Sequence, residues 1–269
     1  MDAARKCQAF RMTSRHPDPE AEVCEAIAEE AVTIALGEAG NFILLATPSD
    51  VEALAVGFAY SEGLLAGRED VADIRVERTG PWTIRVDLNL KRPPGEIDTR
   101  NLIVTSSCGL CGKHIETGLG GSRLARTLKA TREQLVGLAA GLRDRQRLFA
   151  RTGGAHAAAL FDGSGVVLSF AEDIGRHNAM DKAIGRMVLE GRDPRGHGIL
   201  LSGRVSYELA TKAAHAGLEI VAAVSAPSAL AVEACETRNV TLCCFVRDDR
   251  ITIFTHPERI GFSAGTSRG

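Results

Sequence analysis

The feature that most constrains the fold is the alternation of short apolar segments with helical patterns in the second half of the chain. Gly198–Leu201 and Glu219–Val224 are strand-sized apolar segments, and each is followed by polar residues and a predicted helix. Because successive strand–helix–strand units favour a layered structure with part of the sheet parallel, this half predicts an α/β fold. Paired strands at His156–Phe161 and Val166–Phe170 and a final hairpin over Arg247–Arg250 predict a mixed sheet with flanking helices.

The first half of the chain predicts a smaller α+β part with a helix that begins at Pro48-Ser49-Asp50. Before it, the mixture of charge and proline predicts a poorly ordered tail. After it, five glycines between Cys108 and Gly121 predict a mobile loop. The expected boundaries are 1–23 for the tail, 24–107 for the α+β subdomain, 108–130 for the loop and 131–269 for the α/β domain.

A helix is predicted directly after the loop. Thr131 and Gln134 have the spacing of a capping box, in which each side chain binds the other residue's backbone N–H. Leu135, Leu138 and Leu142 follow at helical spacing, and Phe149 falls on the same side of the predicted helix.

Composition excludes several functional classes. The 269 residues carry a formal net charge of -2, so no global basic field favours nucleic acid. Aromatic residues make up 4%, too few to favour a base-stacking platform. The longest apolar stretches, such as Ile220–Val224, have the length of a strand rather than of a membrane span, and residues 1–20 have no apolar signal segment. We expect a cytoplasmic protein that binds neither nucleic acid nor membrane.

The seven cysteines do not form a disulfide framework, because the number is odd and a chain of this length can bury a sufficient core. Cys7, Cys24 and Cys235 are scattered singly and are interpreted as small buried or incidental residues. Cys108 and Cys111, in contrast, stand in Cys108-Gly109-Leu110-Cys111-Gly112-Lys113 with Lys113 and His114 nearby. Nearby cations stabilise a thiolate, the reactive form of cysteine.

Four interpretations of this cysteine pair remain open on spacing alone. A structural zinc site usually needs about four ligands, and no second Cys-x-x-Cys motif is present. A thioredoxin-like redox pair usually opens a helix, whereas glycines follow Cys111. The redox pair and a sulfur carrier are about equally favoured, with zinc and inert thiols behind them. No bound metal is expected.

A zinc-dependent deaminase is not favoured. Its motifs place His-x-Glu before Pro-Cys-x-x-Cys, and a glutamate shuttles protons. Here the order is reversed, His156 is followed by two alanines, and no proline precedes Cys108.

Polar residues form three clusters, each just before a predicted helix: Glu172–Asn178, Ser202–Ser206 and Ser225–Ser228. The last two clusters directly follow the predicted strands Gly198–Leu201 and Glu219–Val224. Ligands of open α/β sheets bind beyond the carboxyl ends of the strands, where helix N-termini offer N–H groups to phosphates. Each cluster taken singly is typical of helix caps and local ion pairs. Their repetition at one sheet edge favours a nucleotide or phosphate site. The residues assigned to it are Asp173, Arg176, His177, Asn178, Ser202, Gly203, Arg204 and Ser225.

Taken together, these motifs resemble the formate dehydrogenase accessory sulfurtransferase family, FdhD. The resemblance covers about Glu29 to Arg259. It is carried by Ala46-Thr47-Pro48-Ser49-Asp50, Val56-Gly57-Phe58, Ser106-Ser107-Cys108-Gly109-Leu110-Cys111-Gly112-Lys113, Gly153-Gly154-Ala155-His156, the block from Glu172 to Lys182, Ser202-Gly203-Arg204-Val205-Ser206-Tyr207-Glu208-Leu209 and Ser225-Ala226-Pro227-Ser228.

The resemblance implies a sulfurtransferase that accepts sulfur from a cysteine desulfurase as a persulfide on Cys108, with Cys111 in an assisting role. It implies delivery of that sulfur to the molybdenum cofactor, bis-molybdopterin guanine dinucleotide, before the cofactor enters formate dehydrogenase. It also implies a homodimer with a fold similar to cytidine deaminases. The family's cofactor-contact segment corresponds to Phe245, Val246, Arg247, Asp248, Asp249 and Arg250.

The chain departs from the family pattern at two places. Cys244 and Asp248 stand where the family usually has glycine, and Asp248 with Asp249 adds negative charge beside an expected anionic ligand. The segment Glu30–Asn41 lacks the proline and the Asn-Gly turn that are common in the family.

Overall fold

The structure is a computed structural model that describes residues 2–91, 103–104 and 123–261. The strands of the N-terminal part are β1 (Ala4–Arg11), β2 (Glu20–Ile27), β3 (Glu30–Ala35), β4 (Asn41–Ala46), β5 (Val71–Gly80), β6 (Thr83–Leu90) and β7 (Ile103–Val104), with helix α1 (Val51–Ser61) between β4 and β5. The C-terminal part begins with helices α2 (Arg132–Arg145) and α3 (Arg147–Thr152). It continues with β8 (His156–Phe161), β9 (Val167–Asp173), α4 (Arg176–Leu189), β10 (Gly198–Leu201), α5 (Tyr207–His215), β11 (Ile220–Ala223), α6 (Ala229–Arg238), β12 (Thr241–Arg247) and β13 (Arg250–Thr255).

The expectation of a poorly ordered N-terminal tail is wrong for most of the segment, because β1 and β2 pair as an antiparallel hairpin. The base of the hairpin is anchored to the rest of the fold. Ala4 is buried with Leu148 and Ala155, and the Glu25 carboxylate binds the Arg151 guanidinium through two hydrogen bonds of 2.9 and 2.6 Å. Charge and proline in the sequence did not reveal these contacts, since their partners lie more than a hundred residues away.

The N-terminal part contains a five-stranded sheet in the order β5-β6-β3-β4-β7. Alternate residues of β4, Phe42, Leu44 and Ala46, are buried, whereas Ile43 and Leu45 are 37% and 38% exposed. One face of this sheet therefore packs against α1, as period-two alternation predicts.

The C-terminal part contains a six-stranded sheet in the order β13-β12-β11-β10-β8-β9. The central strands β10, β11 and β12 are parallel, and both edges of the sheet are antiparallel. Leucines of α2 pack on one face of the sheet, and α4, α5 and α6 pack on the other. A mixed sheet with helices on both faces is the α/β architecture expected from the sequence.

Helices α1 and α4 join the two parts through an unusually close contact. A Cβ atom on Gly57 would lie 1.7 Å from the Asp181 carbonyl oxygen, and one on Gly185 would lie 1.8 Å from that of Ala53. Only glycine permits this approach of two helix backbones. A single hydrophobic cluster consequently extends from the five-stranded sheet to the six-stranded sheet.

The predicted capping box of α2 is confirmed, with the Thr131 hydroxyl accepting from the Gln134 backbone N–H and the Gln134 side chain accepting from Thr131. Leu135, Leu138 and Leu142 are buried as expected. The prediction for Phe149 is wrong, because α2 ends at Arg145 and Phe149 belongs to a separate helix, α3. Phe149 is 44% exposed. Among the described residues, none of the helices has the length and apolar character that crossing a membrane requires.

Candidate functional site

A cleft of about 560 Å³ opens at the carboxyl ends of β10, β11 and β12. These strand ends contribute Ser202, Val224, Val246, Arg247 and Asp248 to its lining. The opposite wall comes from α2 and α3, and the Gly153-Gly154-Ala155-His156 segment completes the lining. The volume lies within the range of small-molecule sites, and the position is the one that open α/β sheets use for ligands.

The two turns at the strand ends are held side by side. The Val205 backbone N–H donates to the Ala226 carbonyl at 3.1 Å, and the Ser228 N–H donates to the Val205 carbonyl at 2.9 Å. The Ser202 hydroxyl accepts from the Ala157 N–H at 2.8 Å, which fixes the turn to β8. Ser202 and Ser225 therefore follow neighbouring strands at the same edge, as the sequence predicts.

Four arginines surround the cleft and its rim: Arg143 and Arg247 line it, while Arg176 and Arg204 lie close to His156. Within the part of the chain that the structure describes, none of the four guanidinium groups makes a hydrogen bond or an ion pair with another residue. The Arg176 Nε atom is buried and lacks a partner among those residues. Such unsatisfied donors attract anions, and a guanidinium group binds phosphate through two parallel hydrogen bonds.

His156 lies at the centre of this group, since a Cβ on Gly203 would lie 3.2 Å from its Nδ1 and 3.7 Å from the Arg176 Cβ. Burial and the neighbouring Arg176 and Arg204 cations lower the pKa of His156, although Asp173 opposes the shift. The ring is therefore neutral at physiological pH and presents a hydrogen-bonding group rather than a charge.

His177 lies behind the cleft wall and not in it. Its Nε2 atom is 3.2 Å from the Ser206 hydroxyl and 3.2 Å from a Glu208 carboxylate oxygen. Burial, followed by the Arg176 and Lys212 cations, lowers the pKa of His177 to about 3, and burial raises that of Glu208. The contact is thus a hydrogen bond of a neutral imidazole that fixes the start of α5 beside α4.

Asp173 and Asn178 were predicted to contact a ligand, but both are buried and bound to other residues of the chain. The Asp173 carboxylate forms an ion pair with Lys182 and accepts from the Thr47, Gly175 and Asn178 nitrogens. Asn178 also donates to the Leu45 carbonyl at 2.8 Å. Because these oxygens are occupied by donors of the protein, both residues are reassigned to positioning the loop that carries Arg176.

The end of β4 is part of the same network. Thr47 accepts from the Ile174 N–H through its hydroxyl at 3.1 Å and from Lys182 through its carbonyl at 2.8 Å. The N-terminal part is thereby locked against the loop before α4. The backbone of Gly175 precedes α4 and no side chain caps this helix, so its first N–H groups remain available beside Arg176.

A second buried network supports α4, α5 and α1 one turn deeper. The Lys212 ammonium group binds the Asp181 carboxylate at 2.9 Å, the Glu62 carboxylate at 2.8 Å and the Ser61 hydroxyl at 3.0 Å. Burial acts to lower the pKa of Lys212, but the Asp181 and Glu62 charges outweigh it and raise that pKa. This lysine is consequently a structural cation, and it does not reinforce the field of the cleft.

The segment that joins β12 to β13 occupies the rim of the cleft. Phe245 and Asp248 have positive φ angles of 55° and 57°, a conformation that favours glycine or asparagine. Phe245 donates its backbone N–H to the Ser225 carbonyl at 3.1 Å, and the Asp249 carbonyl accepts from Arg132. Val246 is buried and lines the cleft, while Arg247, Asp248, Asp249 and Arg250 are exposed.

Cys108 and Cys111 lie outside the described residues. The last described residue before them is Val104, which pairs with Leu44 in parallel register. Leu44 precedes Thr47 by three residues and Val104 precedes Cys108 by four.

Arg143, Gln146 and Phe149 line the cleft from the side of α2 and α3, and no sequence pattern indicated this position. The missing signal was the break between these two helices, which turns Phe149 from the core to the cleft. The Gly153-Gly154 pair, which the sequence marks only through the family resemblance, also lines the cleft.

The chain is matched by the model of the FdhD/NarQ family over residues 27–261. It belongs to this family. It is 41% identical over 219 residues to the sulfur carrier protein FdhD of Saccharolobus solfataricus, covering 81% of this chain and 82% of that protein. It is 40% identical over 256 residues to the FdhD of Mycolicibacterium paratuberculosis, covering 87% and 91%.

The fold is also found in a solved structure, described as that of a proposed formate dehydrogenase accessory protein from Desulfotalea psychrophila. The two superpose with a TM-score of 0.75 at 21% sequence identity, covering 96% of this chain and 100% of the other. The β1–β2 hairpin lies almost wholly before residue 27, where the family match begins.

Proposed function

We propose that this FdhD/NarQ family member is a cytoplasmic sulfurtransferase that carries sulfur as a persulfide on Cys108 and delivers it to bis-molybdopterin guanine dinucleotide. The relatives named as sulfur carriers support the sulfur chemistry. The observation that carries the proposal is the cleft at the carboxyl ends of β10, β11 and β12, because the arginines that surround it have no side-chain partner among the described residues. In this proposal, formate dehydrogenase receives the finished cofactor.

In the loading step, the Cys108 thiolate attacks the outer sulfur of a persulfide on a cysteine desulfurase. The S–S bond of the donor breaks, the desulfurase cysteine leaves as a thiolate, and Cys108 becomes a persulfide. No electrons are gained or lost overall, so this step needs no further reactant. Lys113 and His114 follow in the sequence and supply positive charge that favours the thiolate.

In the delivery step, the Cys111 thiolate attacks the inner sulfur of the Cys108 persulfide. The outer sulfur leaves as hydrosulfide toward the metal of the substrate, and a Cys108–Cys111 disulfide remains. The two thiols supply the two electrons that reduce the carried sulfur to sulfide, and a cellular thiol then reduces the disulfide. This step gives Cys111 the assisting role that the family resemblance implies.

The cleft holds the guanine nucleotide arm of the cofactor in this scheme. Arg176 and Arg204 bind its phosphates together with the uncapped N-terminus of α4, while Ser202 and Arg247 contact the rest of the nucleotide. Asp173, His177 and Asn178 act indirectly, by fixing the loop and the helix starts. Binding the distant arm positions the metal for sulfur transfer, and positioning supplies much of the rate.

The intact mass of the protein after incubation with cysteine and a cysteine desulfurase tests the loading step. We expect one added sulfur in the wild type, none in Cys108→Ala, and normal loading without release of sulfide in Cys111→Ala. Loading that persists in Cys108→Ala contradicts the proposal. Cys235→Ala is the matched control, because that thiol is buried and should not change loading.

Two rival functions predict other results. A non-catalytic cofactor chaperone binds guanine nucleotide but still supports formate dehydrogenase when both loop cysteines are replaced by alanine. A dithiol oxidoreductase cycles a Cys108–Cys111 disulfide with its substrates and depends equally on both cysteines without ever carrying sulfur.

The proposed homodimer and the likeness to cytidine deaminases stay predictions. Light scattering of the purified protein measures the first directly. Superposition of an experimental structure on a deaminase measures the second.

A further inference from the structure

Cys7 and Cys24, which look unrelated in the sequence, are directly opposite each other in the β1–β2 hairpin. Residues of opposite register in an antiparallel pair project to the same face. Cys7 is exposed, and Cys24 is half-buried with its Sγ 3.1 Å from the Glu22 carboxylate. The other described cysteines, Cys235, Cys243 and Cys244, are buried in the core.

The register also determines which kind of cross-strand pair they form. The Ala28 N–H donates to the Ala3 carbonyl at 2.9 Å, so these two residues are a hydrogen-bonded pair. Along an antiparallel ladder, hydrogen-bonded pairs alternate with pairs that are not hydrogen-bonded. Cys7 lies four residues after Ala3, an even number, so Cys7 and Cys24 also form a hydrogen-bonded pair. The Cα atoms of such a pair are ~5.5 Å apart, which lies within the range that a disulfide spans.

A hydrogen-bonded pair holds the Cβ atoms further apart than a disulfide prefers, so the bond forms under strain. Strained and exposed disulfides are more easily reduced than structural ones, and they are the type that serves as a reversible link. We propose that Cys7 and Cys24 form a reversible redox site that takes low-molecular-weight disulfides as its oxidant. Nothing in this site depends on the loop cysteines or on the sulfur-carrier proposal.

The chemistry proceeds in two exchanges. The Cys7 thiolate attacks one sulfur of oxidised glutathione, the glutathione S–S bond breaks and one glutathione leaves. The Cys24 thiolate then attacks Cys7 Sγ in the mixed disulfide and releases the second glutathione. The two cysteine thiols lose two electrons and two protons, and the two released glutathione molecules take them up as thiols.

The order of attack follows from the surroundings of the two thiols. The hydrogen bond to Glu22 raises the pKa of the Cys24 thiol and keeps it protonated longer. Cys7 is more exposed and has no carboxylate as a partner in the described residues; its Sγ lies 3.7 Å from the Arg5 carbonyl oxygen. Cys7 therefore reacts first with an external disulfide, and Cys24 resolves it.

The hairpin position connects this site to the cleft. Ile27 at the end of β2 packs against Gly154, where an added Cβ would lie 3.0 Å from the Ile27 side chain. Gly154 lines the cleft, and Arg151, which holds Glu25, belongs to α3 in the cleft wall. Cross-linking the hairpin thus stiffens an element that supports this wall.

Trypsin provides the test, because Arg11 and Arg15 are exposed and lie between the two cysteines. The protein should carry Cys108→Ala and Cys111→Ala, so that only the hairpin pair reacts. After treatment with oxidised glutathione and trypsin, we expect the fragment that contains Cys7 to remain attached to the rest of the chain. Excess reduced glutathione should release it completely.

Two further variants keep the outcome unambiguous. In Cys7→Ser and in Cys24→Ser, the cleaved fragment should be released without reductant, and the remaining hairpin cysteine should carry one glutathione. Release of the Cys7 fragment from the protein with both hairpin cysteines, with a glutathione on each, overturns the proposal. Attachment that excess reduced glutathione does not reverse overturns its reversible character.

Discussion

The two ends of the six-stranded sheet use arginine in opposite ways. At the carboxyl ends of β10–β12, which we call the upper edge, the guanidinium groups of Arg176, Arg204 and Arg247 have no hydrogen-bonding partner among the described residues. At the amino ends, the lower edge, Arg259 donates to Glu219 at 3.1 Å and to Thr241 at 3.1 Å, and to the Ala125 and Asn239 carbonyls at 2.6 and 2.8 Å. A guanidinium group that the protein saturates serves the fold, whereas one left with open donors is available to a ligand.

The lower edge also fixes the segment before α2. Glu219 accepts from the Thr127 N–H, the Thr127 hydroxyl and the Leu128 N–H, at 2.8, 2.7 and 2.8 Å. The same carboxylate therefore binds both Arg259 and the segment before α2. Loss of the Glu219 carboxylate would therefore remove its hydrogen bonds to Thr127, Leu128 and Arg259 together.

The sharpest test of this comparison is the stability of Arg259→Leu beside Arg204→Ala. Removing Arg259 leaves the Glu219 charge buried without its cation, which costs about 3–5 kcal/mol of unfolding free energy. Removing exposed Arg204 changes stability by no more than about 0.5 kcal/mol. Urea denaturation followed by circular dichroism measures both. Equal losses in the two variants mean that the edges do not differ in the way described.

The pH dependence of the unfolding free energy provides the second test, because His177 and Glu219 lose their effect on stability in different pH ranges. Burial lowers the pKa of His177 to about 3 from 6.5, so its stabilising effect is complete above pH 6.5 and is lost as the pH falls. The loss amounts to about 1.4 kcal/mol per pH unit. We expect the unfolding free energy of the wild type to fall between pH 6 and 4 by about 2–3 kcal/mol more than that of His177→Gln.

Glu219 at the lower edge behaves differently. Burial acts to raise its pKa, but hydrogen bonds from Thr127, Leu128 and Arg259 lower it below the usual 4.5. Its contribution is therefore complete above pH 4.5 and is lost only as the pH falls further. A Glu219→Gln variant that changes the slope between pH 6 and 5 contradicts this separation of the two edges.

Ligand binding provides the third test. If the open donors of the upper edge bind phosphate, Arg176→Gln and Arg204→Gln should each lower the affinity for guanosine diphosphate about tenfold, since a hydrogen bond to a charged group is worth about 1.5–3 kcal/mol. The affinity should also fall as salt rises. Titration calorimetry measures both effects. Arg195→Gln is the matched control, because that arginine is paired with Asp193 near the lower edge.

The smallest expected effect is an increase in the affinity for guanosine diphosphate. Asp248 adds a negative charge to the cleft lining, and its φ of 57° is one that asparagine tolerates. Asp248→Asn should therefore raise the affinity for guanosine diphosphate about threefold without loss of stability, a change of less than about 1 kcal/mol. An unchanged or weaker affinity means that Asp248 does not face the nucleotide.

Local signals in the sequence predicted much of the upper edge. The strand Gly198–Leu201 has the bounds expected from its apolar run. The rule that ligands bind at the carboxyl ends of strands brought Ser202 and Arg204 together with Arg176. These predictions succeeded because they depended only on the order of residues within one strand and the turn that follows it.

Contacts between distant residues could not be predicted in the same way. The partner of Asp173 is Thr47, 126 residues earlier, so a buried structural carboxylate looked like a ligand-binding one. Likewise, the pairing of Cys7 with Cys24 depends on the register of a hairpin, and the Asp18-Pro19 turn signal between its strands does not determine that register. Both cases require knowledge of the tertiary fold, because burial and register decide them.

The glycine crossing of α1 and α4 limits how members of this family can be recombined. Because each helix backbone fills the space where the other would need a side chain, positions 57 and 185 have to suit each other. A chimera that takes its first sheet from one relative and its second sheet from another inherits this requirement. Exchange of the two parts should succeed only between donors that bring glycine to both sides of the crossing.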